Sequence, residues 1–148
     1  MIFQYSWQAV LDGTKTQTRR MVKPGDYYCA PLGAVCLHRD NTDDYVSWTI
    51  DKTYAVQPGR GQKAVGRIRI TGIRQERVQD ISEADALAEG IEWRGHWTPG
   101  GVYDPPEWVG NYPPDDYAAL WDTIHTKRGT RWNRNPLVWV LTFEAVQS

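Results

Sequence analysis

The sequence has few of the residues that cross-link proteins or bind metals. Its 148 residues include only two cysteines, Cys29 and Cys36, and three scattered histidines. No Cys-x-x-Cys pair occurs, so a structural zinc site is not expected. A single disulfide is possible, but a reduced chain is favoured because no export signal is recognisable. We therefore expect a protein that has no metal and no cofactor.

Long apolar runs and an excess of charge are also missing. No apolar run approaches the roughly 20 residues that span a bilayer, and the N-terminus lacks the basic start and apolar core of a signal peptide. The net charge is −1, so no overall field attracts nucleic acid or a membrane. We expect a cytoplasmic protein with no membrane partner. A chain of this length predicts a single domain, 1–148, with its own core.

The small net charge hides an uneven distribution of acidic and basic residues along the chain. Residues 60–77 carry six basic side chains and one acid, whereas residues 80–122 carry ten acids and one base. Arg67 and Arg69 alternate with isoleucines, which predicts a strand with one basic face. Together with Arg60, these side chains could bind a phosphate backbone. The alternative is an ordinary solvated strand face.

The stretch with the richest chemistry lies near the N-terminus. It reads Gly13-Thr14-Lys15-Thr16-Gln17-Thr18-Arg19-Arg20. An apolar pattern before it predicts a short helix, which Gly13 would end in the left-handed conformation. Because threonines favour an extended chain, we expect Lys15 in a helix-to-strand turn, with Thr18 and Arg20 on one face of the strand. The stretch thus offers a hydroxyl nucleophile beside an amine and cationic anchors.

This pattern resembles the Gly-x-Lys-Thr-x-Thr-x-Arg signature of the ASCH family, small relatives of the PUA-like β-barrels that bind RNA. In the family's bacterial N4-acetylcytidine amidohydrolases, the signature lysine and second threonine are catalytic. The resemblance therefore implies catalytic roles for Lys15 and Thr18, and Arg20 matches the signature arginine. The segment from Trp132 to Pro136 and the Val-Trp-Val strand after it resemble the end of phage-encoded ASCH proteins, which would place this protein in the bacterial host cytoplasm.

Glu89 completes the candidate catalytic set. Ser82 is a good N-cap for a helix that Gly90 would end. A carboxylate in the last turn is unfavourable for the helix dipole, and such inconsistencies tend to mark sites. The family's catalytic glutamate follows an Ile/Leu-Ser/Thr-Glu run by six residues, and residues 81–83 match that run, so the resemblance implies Glu89. The alternative is a frayed, solvated helix end.

Aromatic residues are numerous and polar-edged: eight Trp and eight Tyr against two Phe. Such side chains can stack on nucleobases, although most are expected to pack in the core or in loops. Trp132 or Tyr54 could stack on a pyrimidine, and Asn135 in the same C-terminal turn is a further candidate for binding.

Residues 92–114 are rich in Trp, Gly and Pro and show no helical or strand period. A loop this long is usually functional or mobile. It is an insertion relative to the minimal amidohydrolases of the family, and we interpret it as a lid or wall over the site. A helix should follow from Pro114, with an apolar stripe expected to lie in the core, formed by Tyr117, Leu120, Trp121 and Ile124.

We predict an α+β fold, a small mixed β-barrel of the ASCH or PUA-like type, with five to six strands flanked by three helices. The resemblance implies an enzyme that removes an acyl group from the exocyclic N4 amine of cytidine-type nucleosides or nucleotides. Arg19 and Arg20 would bind the substrate, and the protein would be a monomer or weak dimer. The alternatives are a non-catalytic module for RNA or single-stranded DNA, and a ribonuclease.

Two proton assignments stay open for the enzyme. In the first, Lys15 takes the proton of Thr18, provided that burial or a neighbouring cation favours the neutral amine, and Glu89 orients it or passes a proton to the leaving amine. In the second, Glu89 activates a water molecule and Lys15 holds the oxyanion.

Overall fold

The structure, a computed structural model, describes residues 1–147. It contains three helices, nine strands and two short 3-10 turns. In chain order these are α1 (Trp7–Asp12), β1 (Gln17–Met21), β2 (Asp26–Cys29), β3 (Ala34–Leu37), β4 (Tyr45–Thr49), β5 (Thr53–Val56), β6 (Gly66–Arg77), a 3-10 turn (Val78–Asp80), α2 (Glu83–Ala88), β7 (Gly95–Trp97), β8 (Trp108–Gly110), α3 (Pro113–Ile124), a second 3-10 turn (Trp132–Arg134) and β9 (Leu137–Val146).

The strands form three antiparallel sheets. The largest has the order β1-β9-β6-β5, the second β2-β3-β4, and β7 pairs with β8 alone. The predicted α+β class with three helices is confirmed. The strands number nine rather than five or six, and over residues 1–147 their hydrogen bonding forms these separate sheets and no single closed barrel.

Strand β9 is the centre of the molecule because both of its faces are covered. Val138 and Val140 pack with the residues of α2 and α3, whereas Trp139 and Leu141 pack with Val35 of β3. A strand buried on both faces requires a continuous apolar run, which is what residues 137–143 supply apart from Thr142. The neighbouring strand β1 is paired to β9 with Thr18 opposite Leu141, so the signature residues lie beside the core.

Local sequence signals account for the elements that hold the signature. Gly13 follows α1 with φ +85°, a conformation that glycine adopts at little cost. Ser82 caps α2 by accepting a hydrogen bond from the Asp85 backbone N–H at 3.0 Å. Helix α3 begins at Pro113, one residue earlier than predicted. None of the helices described within residues 1–147 is long and apolar enough to cross a membrane.

The 92–114 segment contains regular structure that its sequence did not predict. Strands β7 and β8 pair as a short ribbon, with Trp97 opposite Trp108. Trp93 and Trp97 both meet the Trp108 ring edge to face, with ring centroids 5.0 and 5.7 Å away. Strands of three residues are too short to show an alternating pattern, so the period-based expectation of an irregular loop fails here.

Candidate functional site

The turn before β1 is tied to two helices, which fixes the position of Lys15. The Lys15 backbone N–H donates to the Ala9 carbonyl at 3.0 Å, and that of Thr16 donates to the Ala88 carbonyl at 2.7 Å. The chain therefore passes between the end of α1 and the end of α2. Lys15 is only 6% exposed and Glu89 only 5%.

Lys15 and Glu89, 74 residues apart, form a buried ion pair. The Lys15 Nζ donates to Glu89 Oε1 at 2.8 Å and to the Glu89 backbone carbonyl at 2.9 Å. The other carboxylate oxygen accepts a hydrogen bond from Arg19 Nη1 at 2.9 Å. Two cations thus compensate a carboxylate at the partly negative end of α2, where Glu89 is the C-cap rather than the last helical residue. Gly90, with φ +101°, reverses the chain directly afterwards.

Arg19 is the hub of a buried network that the sequence did not reveal. Its side chain is 0% exposed and binds three carboxylates, Glu76 at 2.7 Å, Asp85 at 3.2 Å and Glu89 at 2.9 Å. Arg19 Nη1 also donates to Gln17 Oε1 at 3.1 Å. The arginine that was expected to contact substrate therefore has most of its donors engaged within the protein. One of these bonds fixes the second carboxylate oxygen of Glu89.

The network is electrically balanced. Arg74 donates to Asp85 at 2.9 Å from the outer side, so three cations, Lys15, Arg19 and Arg74, face three carboxylates. One sequence signal could have pointed to it, since Glu76 is the lone acid among the six basic residues of 60–77. In a protein interior, such charges are tolerated only when they are paired.

The network should make stability depend on pH through Asp85. Burial alone would raise the pKa of Asp85, but the hydrogen bond from Gln17 and the charges of Arg19 and Arg74 outweigh it and hold the pKa below the ordinary 3.8. Since the folded-state pKa is the lower one, the stabilisation is complete above the unfolded-state value and is lost as pH falls through the folded-state pKa. Wild type should therefore exceed Asp85→Asn in urea-unfolding free energy at pH 7, and the difference should shrink below about pH 4.

The control for this titration is Asp104→Asn, at an exposed carboxylate in the 92–114 segment. It should match wild type at every pH. A gap between wild type and Asp85→Asn that stays constant from pH 7 to pH 3 would contradict the charge-based explanation.

The ion pair lies at a cavity of about 570 Å³. One side contains Lys15, Thr18 and Glu89, the three residues to which the ASCH resemblance assigns catalysis. The remaining walls come from the N-terminal segment and from α3. The other lining residues are Ile2, Phe3, Gln4, Tyr5, Ser6, Gln8, Ala9, Arg19, Arg20, Gly90, Ile91, Tyr117, Leu120, Trp121, Ile124 and His125.

Thr18 presents a hydroxyl to this cavity without an internal partner. The side chain is 6% exposed, and within residues 1–147 its Oγ1 makes no hydrogen bond, unlike that of Thr14, which bonds to Asp12 at 2.7 Å. Tyr117 closes the same side, and burial, followed by the charge of Glu89, raises its pKa well above the usual range. The Tyr117 phenol therefore stays protonated at neutral pH. A free hydroxyl, an ammonium and a carboxylate thus share one wall.

The apolar stripe of α3 is divided between the core and the cavity. Tyr117 and Trp121 are buried, as predicted. Leu120 and Ile124, which were expected in the core, are 37% and 51% exposed and line the cavity. The helical period identifies which residues share a face, but it does not say what covers that face.

The other candidate binding residues lie outside the cavity lining. Arg60 is exposed in the loop before β6, and Arg67 donates to Thr53 Oγ1 at 3.0 Å on the outer face of β5 and β6. Arg69 donates to the Asp51 carbonyl at 3.0 Å. The exposed basic strand face predicted from the sequence is present, but it is separate from the Lys15–Glu89 pair.

The C-terminal turn residues have structural contacts. Trp132 is half-buried against the core cluster around Tyr117. Asn135 adopts φ +47°, and its Oδ1 accepts a hydrogen bond from the Gln79 backbone N–H at 2.9 Å. Neither residue lines the cavity, and none of residues 92–114 does so. The segment interpreted as a lid therefore forms no part of this wall.

No group of three or more His, Cys, Asp or Glu side chains in residues 1–147 is arranged to hold a metal ion. The three carboxylates of the network surround the Arg19 guanidinium instead. Cys29 and Cys36 are both free thiols.

No protein-family model and no curated protein matches the sequence. Solved structures with a similar fold include the following two. One is protein EF3133 from Enterococcus faecalis, of the family DUF984, with 17% identity, a TM-score of 0.55 and coverage of 95% of this chain and 66% of that one. The other is an ASCH domain from Lactobacillus crispatus, with 14% identity, a TM-score of 0.53 and coverage of 97% and 74%. The chain thus spans about two thirds of the Enterococcus protein's length and has an ASCH-like fold.

Proposed function

We propose that the protein is an amidohydrolase that removes an acyl group from the exocyclic N4 amine of cytidine-type nucleosides or nucleotides. The observation that carries the proposal is the 2.8 Å contact of Lys15 Nζ with Glu89 Oε1 at the wall of a cavity that Thr18 also lines. These are the three residues to which the ASCH resemblance assigns catalysis. The amide chemistry and the substrate come from that resemblance.

Amide hydrolysis needs stabilisation of the negative oxygen that forms when the carbonyl is attacked. An ammonium has three N–H donors, and Lys15 uses two of them on Glu89. One donor remains for the oxyanion of the tetrahedral intermediate. This remaining donor supports the assignment in which Lys15 holds the oxyanion and Glu89 accepts a proton from water.

Thr18 can act as nucleophile only after a proton moves within the ion pair. Transfer from Lys15 to Glu89 across their 2.8 Å hydrogen bond would leave a neutral amine able to take the Thr18 proton. The Thr18 oxygen would then form an ester with the acyl group, the C–N bond would break, and Glu89 would give its proton to the departing amine. Water, deprotonated by Glu89, would next attack the ester, so that the carboxylic acid leaves and the proton returns to the Thr18 oxygen. Arg19 opposes this transfer because it stabilises the charged carboxylate.

The cavity suits a nucleoside in size and surface. Its volume of about 570 Å³ lies within the range of roughly 300–1,000 Å³ that is typical of small-molecule sites. The apolar side chains of Leu120, Ile124 and Ile91 line the cavity together with the charged residues. A pyrimidine ring could lie against the apolar side while its exocyclic amide reaches Lys15 and Thr18.

The test is to incubate the protein with N4-acetylcytidine and to separate cytidine from substrate by chromatography over time. The 5′-monophosphate of N4-acetylcytidine is tested in parallel. Turnover of at least one of the two is expected, and the absence of turnover of both would reject the proposal. Quenched reactions should also be examined by mass spectrometry. An acetyl group on Thr18 indicates the covalent route, whereas its absence during turnover indicates attack by water.

The exposed basic face of β5 and β6 favours a second candidate, a module that binds single-stranded nucleic acid without chemistry. Arg60 and Arg67 are both exposed there. Affinity for a labelled single strand should then fall steeply with salt and should weaken in Arg67→Ala. Gel electrophoresis of the RNA after incubation separates simple binding from a ribonuclease.

A further inference from the structure

Arg20 is a half-buried cation without an ion-pair partner in the described chain. Its Nη2 donates to the Ile2 carbonyl at 3.0 Å, and its guanidinium lies 5.3 Å from the centre of the Phe3 ring. Its Nε is buried and has no hydrogen-bond partner in the described chain. No carboxylate in residues 1–147 forms an ion pair with it. Burial lowers the pKa of Arg20, and the charge of Glu89 offsets only part of this effect.

His125 adds a second unpartnered polar atom to the same cavity. Its ring is stacked on Trp121 with the centroids 3.7 Å apart, and its buried Nδ1 has no partner within residues 1–147. Burial lowers the pKa of His125, so the ring is neutral at neutral pH. Buried polar atoms normally find partners, and both of these unpartnered atoms belong to residues that line the cavity.

The balance of charges around the cavity indicates which kind of ligand Arg20 would bind. Lys15, Arg19 and Arg74 are matched by three carboxylates, so Arg20 is the uncompensated charge among the cations that line the cavity. A guanidinium presents a planar fork of donors that fits a phosphate. Thr18 and Arg20 lie on the same face of β1, about 7 Å apart along the strand. An anion at Arg20 would therefore belong to a molecule whose other end reaches Thr18.

We propose that Arg20, assisted by His125, binds the phosphate monoester of a nucleoside monophosphate, so that the substrate is the nucleotide in preference to the free nucleoside. The identity of the base rests on the proposed function. The cavity volume of about 570 Å³ is that of a small-molecule site and favours a single nucleotide over a strand.

Calorimetric titration of the full chain with cytidine 5′-monophosphate, cytidine and inorganic phosphate tests the proposal without needing hydrolysis. The monophosphate should bind at least about 10-fold more tightly than cytidine. Arg20→Gln should weaken monophosphate binding about 10- to 100-fold, the usual worth of charge-assisted hydrogen bonds, and should leave cytidine binding nearly unchanged. Arg39→Gln, at an exposed arginine outside the cavity lining, should leave both unchanged.

Arg20→Lys controls for loss of the folded structure, because it keeps the positive charge and loses only the planar arrangement of guanidinium donors. It should fall between wild type and Arg20→Gln. Equal affinity of wild type for monophosphate and nucleoside, or an equal loss of both in Arg20→Gln and Arg20→Lys, would overturn the proposal. A cytidine dinucleotide that binds as tightly as the monophosphate would also overturn it, in favour of a strand. Monophosphate binding that depends on Arg20, with no turnover of N4-acetylcytidine or its 5′-monophosphate, is a separate outcome. It would reject the amidohydrolase function and leave the phosphate site standing.

Discussion

Replacing Lys15 with methionine should lower kcat/KM for N4-acetylcytidine about 10²- to 10³-fold, the usual cost of one oxyanion donor. The substitution removes the ammonium, whereas the apolar stem of the new side chain is of similar length and fills the same volume. Glu89 keeps its hydrogen bond to Arg19 at 2.9 Å, so its charge stays compensated. Release of cytidine, measured at several substrate concentrations, gives kcat and KM separately. The loss is expected mainly in kcat, because the donor acts on the intermediate.

Lys63→Met is the matched control, since Lys63 is exposed and precedes β6. It should hydrolyse the substrate at the wild-type rate. Circular dichroism and urea unfolding should show that both variants are folded. If the folded Lys15→Met protein shows wild-type kinetics, Lys15 takes no part in the reaction and the proposed mechanism is wrong.

Replacing Arg19 with methionine should destabilise the fold by about 3–5 kcal/mol. The guanidinium is 0% exposed and lies between Glu76, Asp85 and Glu89, with N–O distances from 2.7 to 3.2 Å. Without it, three carboxylates face one another with fewer cations near them. Such a loss is a large part of the roughly 5–15 kcal/mol that stabilises a typical domain. Urea unfolding followed by circular dichroism measures it.

Arg69→Met provides the comparison within the same sheet. Arg69 is partly exposed, and its ion pair with Glu144 is long, at 4.0 Å. Its removal should cost no more than about 1 kcal/mol. Comparable unfolding free energies for the two variants would show that the Arg19 network contributes little to stability.

The candidate site was predictable where the signals are local. Gly13 ends α1 in the left-handed conformation, and Ser82 caps α2, because caps depend on one or two residues and their own backbone. The strand that carries Thr18 and Arg20 followed from threonine content. The pairing of Lys15 with Glu89 spans 74 residues, and no local pattern specifies such a contact. It was expected only through the family resemblance.

The partners of Arg19 were not predictable for the same reason. Glu76 lies on β6 and Asp85 on α2, and their approach to β1 depends on the register of β9 between the strands. The sequence analysis assigned both Arg19 and Arg20 to the substrate, as cationic anchors beside the Thr18 hydroxyl. In the structure Arg19 pairs with carboxylates of β6 and α2, whereas Arg20, on the other face of β1, forms no ion pair within residues 1–147.

Substitutions on the apolar face of α3 should have two different effects, depending on whether the residue lies in the core or lines the cavity. Tyr117 and Trp121 anchor the helix in the interior, and substituting them would disturb the whole domain. Leu120 and Ile124 border the opening and are partly solvated, so shorter or bulkier side chains there would reshape the entrance at small energetic cost. Ligand preference could therefore diverge among descendants of this sequence through one helix, while the ionic machinery beneath it stays intact.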